Sequence, residues 1–168
     1  LQGFIKIYYG DESGFNLTPT VPYGWQPKGK HCGILSQKSA TTNVFGLLSK
    51  ENDFEAYAIN ASMNAQCLSA FIDDFATRIK QPTVLVLDNA PFHHSDHMKK
   101  KIAQWKEVDL FIWFLPTYSP HLNKIETLWR KIKYEWLKPY HYDDKHTFDQ
   151  ALEHILKNIG SEFTINFS

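Results

Sequence analysis

Two short apolar runs with a helix between them constrain this chain more than anything else in it. Val84, Leu85, Val86 and Leu87 are four aliphatic residues in a row, bounded by Pro82 and by Asp88-Asn89. Apolar on both faces, they predict a strand buried in the middle of a covered sheet. Ser95 then caps a basic helix running to about Lys106, with Met98, Ile102 and Trp105 as its inward stripe. Leu110 to Phe114 (LFIWF) follows as a second buried strand. A strand, a crossover helix and a further strand in one sheet give parallel neighbours joined with a right-handed connection. Asp88 sits where the first of these strands ends. That is a common place to hold a metal or a substrate, and equally a place for an Asx turn or helix cap. The strand alone does not choose between them.

The rest of the chain supplies partners for that unit. Phe4 to Tyr9 (FIKIYY) alternates as a strand does, and Asp11 follows its end. Thr42–Ser49 and Phe54–Asn60 predict a hairpin closed by the four residues Lys50 to Asp53. Leu68, Phe71, Ile72, Phe75 and Ile79 recur at helical spacing, predicting a helix from Asn64 to Lys80 with Ser62 as its cap. Pro116 and Pro120 bracket a turn, and Ile125, Trp129, Ile132 and Trp136 mark one packed stripe on a helix from Leu122 to about Leu137. A last helix is expected over Thr147–Asn158, ended by Gly160. Residues 15–41 form a long irregular excursion with a short edge strand at Ile34-Leu35. No repeat or internal boundary divides the chain, so a single domain is expected over 1–168. Three antiparallel strands feeding a crossover into parallel strands give an RNase H-like fold, a mixed five-stranded sheet with helices on both faces.

Composition narrows the class. At 168 residues, with 43% hydrophobic and 15% aromatic content, the chain can bury a core. No apolar run reaches the roughly 18 residues of a membrane span, and the start lacks a signal-peptide pattern. Cys32 and Cys67 are too few for a disulfide framework, which favours a reducing cytosol. Net charge is zero, but residues 99–138 hold nine basic residues against four acidic ones. Such a region is either a phosphate footprint or two solvated helix faces.

Three acids stand out by position. Asp11 ends the first strand, Asp88 ends its parallel neighbour, and Glu126 lies in the first turns of the helix after Pro120. The topology brings all three toward one end of the sheet. A charge beside a packed stripe needs a partner or water, and a divalent ion would satisfy all three carboxylates. Hard oxygen donors without cysteine suit Mg²⁺, with Mn²⁺ as a substitute. Two such ions about 4 Å apart would serve attacking and leaving oxygens on phosphorus. Glu12 points to the opposite face if the strand continues. His93 and His97, four apart, form a rival zinc pair that Pro91 and the Ser95 cap disfavour.

DESGF at 11–15, LDNAPFHHS at 87–95 and LPTYSPHLNKIETLW at 115–129 resemble the catalytic domain of DDE transposases, and most of all the mariner-related bacterial insertion sequences. YGWQPKG at 23–29 and FTINFS at 163–168 carry the resemblance across nearly the whole chain. It implies that Asp11, Asp88 and Glu126 form a catalytic, metal-binding triad holding two Mg²⁺ ions. It also implies an enzyme that cuts DNA with water and then directs the exposed 3′-hydroxyl into target DNA. Between Asp88 and Glu126 lie 37 residues, a little more than bacterial members usually have, and His121 and Lys124 depart from the family's usual acid or small polar residue and proline. The family's helix-turn-helix modules are not seen ahead of Leu1, as in a truncated start.

Around the triad, Asn89, His93 and Asn123 are expected to support it. Asn89 also suits the turn, and Asn123 suits a helix cap. Tyr118 and Ser119 could meet DNA, although Ser119 before Pro120 also reads as a helix start. Lys124, Arg130, Lys131 and Lys133 are expected to contact DNA phosphates, and Trp129 and Trp136 to anchor the core. The expected partners are transposon-end and target DNA and a second copy of the chain, in the bacterial cytoplasm at the nucleoid and with no membrane. Two rival activities keep the same fold: a nuclease without strand transfer, and an inactive, domesticated DNA-binding core.

Overall fold

The computed structural model describes residues 5–19, 28, 41–59, 62–91, 95–117 and 119–167. Its centre is a five-stranded sheet in the order β3-β2-β1-β4-β5. β1 (Lys6–Phe15), β2 (Thr42–Ser49) and β3 (Phe54–Ile59) run antiparallel, and β4 (Thr83–Leu87) and β5 (Leu110–Phe114) join parallel to β1. The mixed sheet expected from the sequence is the one found. The stretch at 23–29 apart from Lys28, the edge strand expected at Ile34-Leu35, and His93, His94 and Tyr118 lie outside the described residues.

Helices cover both faces. α1 (Ala65–Ala76) and α2 (Asp96–Lys106) close one core, where Leu68, Ile72, Phe75, Met98 and Trp105 meet Tyr8, Phe45, Leu47, Leu85, Leu87 and Leu110. α3 (Ile125–Lys131) and α4 (Lys145–Lys157) close the other, where Ile125, Leu128, Trp129, Phe148 and Leu152 meet Phe15, Val44 and Leu48. Each core is a stripe at helical spacing set against alternate strand residues. Asp73 ties α1 to α2, accepting from Lys101 Nζ at 2.6 Å and from Trp105 Nε1 at 2.8 Å.

Several boundaries differ from expectation, each for a local reason. β1 does not stop near Tyr9; it continues to Phe15 because Ser13 and Phe15 keep the inward alternation and pair with β2 as far as Thr42. Asp11 is therefore inside a strand. α1 is capped by Asn64, which accepts from Cys67 N at 2.9 Å, and not by Ser62. It ends at Ala76, and Arg78 beyond it is drawn to Asp74, Tyr57 and Glu55. α4 starts at Lys145, because Asp144 caps the Thr147 N–H at 2.8 Å.

The helix expected over 122–137 is divided. Pro120–Leu122 form a 3₁₀ turn, α3 runs to Lys131, and Ile132–Trp136 form a π turn closed by Leu137 N donating to Ile132 O at 2.9 Å. β5 is not buried on both faces: it is an edge strand, with Trp113 65% and Phe111 38% exposed. Its alternation is that of a half-covered strand. No helix among the described residues is long and apolar enough to cross a membrane.

Candidate active site

The ladder between β1 and β4 ends at the pair Tyr9–Val86. Asp11 and Asp88 each lie two residues beyond it, side by side where the two parallel strands separate. Across the sheet Asp11 pairs with Gly46 of β2. Glu126 comes from the first turn of α3, whose stripe of Ile125, Leu128 and Trp129 is fixed in the core. All three acids line one cavity of about 460 Å³, with Asn89, Asn123 and Pro116 among its other walls. Asp88 is exposed, whereas Asp11 and Glu126 are half-buried.

The electrostatics of this cavity are those of a crowded anionic site. Burial pushes the Asp11 carboxyl up to about 7, and the neighbouring charges of Glu126 and Asp88 push it the same way. Opposing them are the Glu12 backbone N–H and the Trp129 indole. One cation stands nearby. Lys133, in the π turn, is half-buried with its Nζ 5.2 Å from the Phe15 ring centroid. Burial lowers its pKa, while Glu126 and Asp11 raise it.

Among the described residues, two buried side-chain polar atoms have no hydrogen-bond partner, Asn123 Oδ1 and Trp129 Nε1, and both belong to residues at the acid cluster. Asn123 is 4% exposed and does not cap α3; its Nδ2 donates to Gly10 O at 3.1 Å, the carbonyl just before Asp11. The Trp129 indole N–H lies near enough to Asp11 to lower its pKa but makes no hydrogen bond of proper geometry. Among the described residues, no three His, Cys, Asp or Glu side chains are drawn into a ready-made metal cage. The donor set nevertheless fits a hard divalent cation: three carboxylates, mutually repelling, with an unfilled amide oxygen beside them.

Other expected site residues separate by place. Asn89 lines the cavity. Lys131 pairs with Glu135 at 2.6 Å, and together with Arg130 and Tyr134 it lines a second surface cleft on α3. Lys124 stands at the N-terminus of α3. His97 is engaged by buried Ser69 at 2.8 Å, tying α2 to α1. What the sequence reading missed is Trp129 and Gly46. A Cβ on Gly46 would lie 2.6 Å from Trp129 Cη2, so this glycine makes the slot for the indole. The only available signal was Trp129 three residues after Glu126, on adjoining helix turns.

A family model described as DDE superfamily endonuclease matches residues 6–149. The chain belongs to that family. Its fold is shared with solved transposase and integrase catalytic cores. It is similar to the Mos1 transposase in a paired-end complex with left transposon end, at 14% identity and a TM-score of 0.62, over 90% of this chain and 47% of that one. A mariner Mos1 paired end complex with Mg matches at 14% and 0.63, over 90% and 48%. The catalytic core of BIV integrase matches at 15% and 0.59, over 95% and 86%. At these identities the likeness is one of fold. The DDE domain thus spans about half the length of the Mos1 chains. No curated protein matches it.

Proposed function

We propose that this domain is the catalytic core of a cut-and-paste DNA transposase, with Asp11, Asp88 and Glu126 as its metal-holding residues. The observation that carries the reading is the convergence of these three acids, from β1, the end of β4 and α3, on one cavity where two parallel strands part. Divalent ions bound there, Mg²⁺ or Mn²⁺ and two in number, would activate the attacking oxygen and stabilise the leaving one. Asp11 and Asp88 reach the cavity from the sheet and Glu126 from the helix. The protein contributes no nucleophile of its own.

Several chain residues serve the DNA. Lys133, at the rim of the cluster, meets a backbone phosphate next to the scissile one. Lys124, Arg130 and Lys131 extend that contact along α3. Water is the first nucleophile, releasing a 3′-hydroxyl at the element end, and that hydroxyl is then directed at target DNA. Two ends require two such clusters, hence a homodimer on duplex DNA, acting at the bacterial nucleoid.

The test uses the full-length protein containing this domain. A plasmid carrying its coding sequence with the native flanks is incubated with the protein and Mn²⁺, alongside a target plasmid. Nicks with free 3′-hydroxyls at the flanks and covalent joints to the target are expected. Asp88→Ala should abolish both and leave the circular dichroism unchanged. Nicks without joints would leave a nuclease. DNA binding without any cleavage would leave an inactive core.

A further inference from the structure

Trp129 is built into the site more tightly than a core anchor requires. Its ring is held edge-on by Phe15, at 6.0 Å and 72° between centroids and planes, and by Phe54 at 6.3 Å and 78°. It lies over the backbone of Gly46, where a Cβ would meet Cη2 at 2.6 Å and Cζ2 at 2.8 Å. Gly46 is the cross-strand partner of Asp11, so the ring is locked directly beside that carboxylate. The side chain is 3% exposed, and its Nε1 has no hydrogen-bond partner among the described residues. A buried N–H without an acceptor costs about 1–3 kcal/mol. A core with phenylalanines on two sides could carry a third one here without that cost.

We propose that the Trp129 indole N–H is a positioning donor for Asp11, and that Gly46 is the residue that admits it. The N–H takes one carboxylate oxygen of Asp11 when the acid is ionised and cation-bound. It thereby fixes the rotamer that presents the remaining lone pairs to the cavity. Trp129 touches neither DNA nor the reacting atoms; it acts through Asp11. This rests on the reading of Asp11 as a metal-holding residue. Groups that orient a ligand in this way typically change metal affinity 10–100-fold when removed.

The experiment measures Mn²⁺ affinity and the indole resonance together. Trp129→Phe keeps an aromatic ring but removes the donor, together with the Cζ2 and Cη2 atoms that lie over Gly46. Mn²⁺ titration of the folded variant, followed by paramagnetic resonance of the free ion, is expected to give a dissociation constant about tenfold or more above wild type. In ¹⁵N-labelled protein, the indole N–H signal absent from Trp129→Phe identifies Trp129. Adding Mg²⁺ should move it downfield in wild type and leave it in place in Asp11→Ala. Equal Mn²⁺ affinity in wild type and Trp129→Phe would overturn the proposal. If wild type itself binds no Mn²⁺, the metal reading fails. The donor assignment is then judged by whether Asp11→Ala shifts the Trp129 signal at pH 8, and an unmoved signal would overturn it too.

Discussion

Asn123 Nδ2 donates to the carbonyl of Gly10 across 3.1 Å, joining the entry of α3 to the residue before Asp11. The bond is buried, and it lies where the β1–β4 ladder has just ended. It therefore sets the distance between the strand that carries Asp11 and the helix that carries Glu126. Asn123→Ala leaves the Gly10 carbonyl without this donor, and a loss of about 1–3 kcal/mol is expected in urea unfolding with EDTA present. Asn123→Asp should do worse, because a carboxylate cannot donate and adds a fourth acid to the cluster. An alanine variant as stable as wild type would show the bond to be dispensable.

Asp11 gives the metal-free protein a pH dependence of definite sign. Its carboxyl lies near 7 in the folded state and near 3.8 when exposed, so between these values the native state holds the extra proton. Stability from this group is present below about pH 4 and is lost as pH rises through 7. The loss is at most ~4 kcal/mol, an order-of-magnitude figure for a coupled cluster. Asp11→Asn should remove that slope, so the variant gains on wild type with rising pH in EDTA. Mg²⁺ should restore wild type more at pH 8 than at pH 5. Parallel pH–stability curves for wild type and Asp11→Asn would contradict the crowding.

Much of this was legible in the sequence, for identifiable reasons. The runs at 84–87 and 110–114 admit few arrangements once a helix lies between them, and they gave the parallel half of the sheet. Asp88 could be placed because a strand end is marked by Asn and Pro nearby. Asp11 was placed near the right spot for a partly wrong reason: β1 runs on through it, since pairing with β2 outlasts pairing with β4. The exposure of Trp113 could not be read, because LFIWF does not say that β5 is an edge. Trp129 looked like core, and is core. Its second role depends on Gly46, 83 positions earlier in the chain, a juxtaposition that only the β2 register brings about.

Gly46 should tolerate no side chain. In Gly46→Ala the new methyl would press on Trp129 at 2.6 Å and on Phe54 at 2.9 Å, and overpacking of this kind costs about 1–3 kcal/mol. The displaced ring should also carry the indole N–H away from Asp11, so Mn²⁺ affinity falls along with stability. Pairing Gly46→Ala with Phe54→Leu makes room on one side and should recover part of the stability, as a thermal melt would report. An alanine variant that melts with wild type would mean that the slot is roomier than the packing allows.

Lys133 separates a DNA contact from a purely electrostatic counter-ion. Its Nζ stands over the Phe15 ring, half-buried, and is attracted by Glu126 and Asp11. Lys133→Met keeps an unbranched side chain of similar reach and deletes the charge. Without the cation, Asp11 loses a stabilising neighbour, so its carboxyl should titrate higher still in the metal-free state. If the ammonium also meets a phosphate, the slope of log K against log salt should fall in magnitude by about 0.9 for duplex DNA. Arg130→Ala should lower the salt slope as well but leave the Asp11 titration where it was, since Arg130 is exposed and lines a cleft apart from the acids. A Lys133→Met protein with unchanged salt slope but a raised Asp11 pKa would make this lysine a counter-ion to the acids and nothing more, and the DNA path would then have to run along Lys124, Arg130 and Lys131.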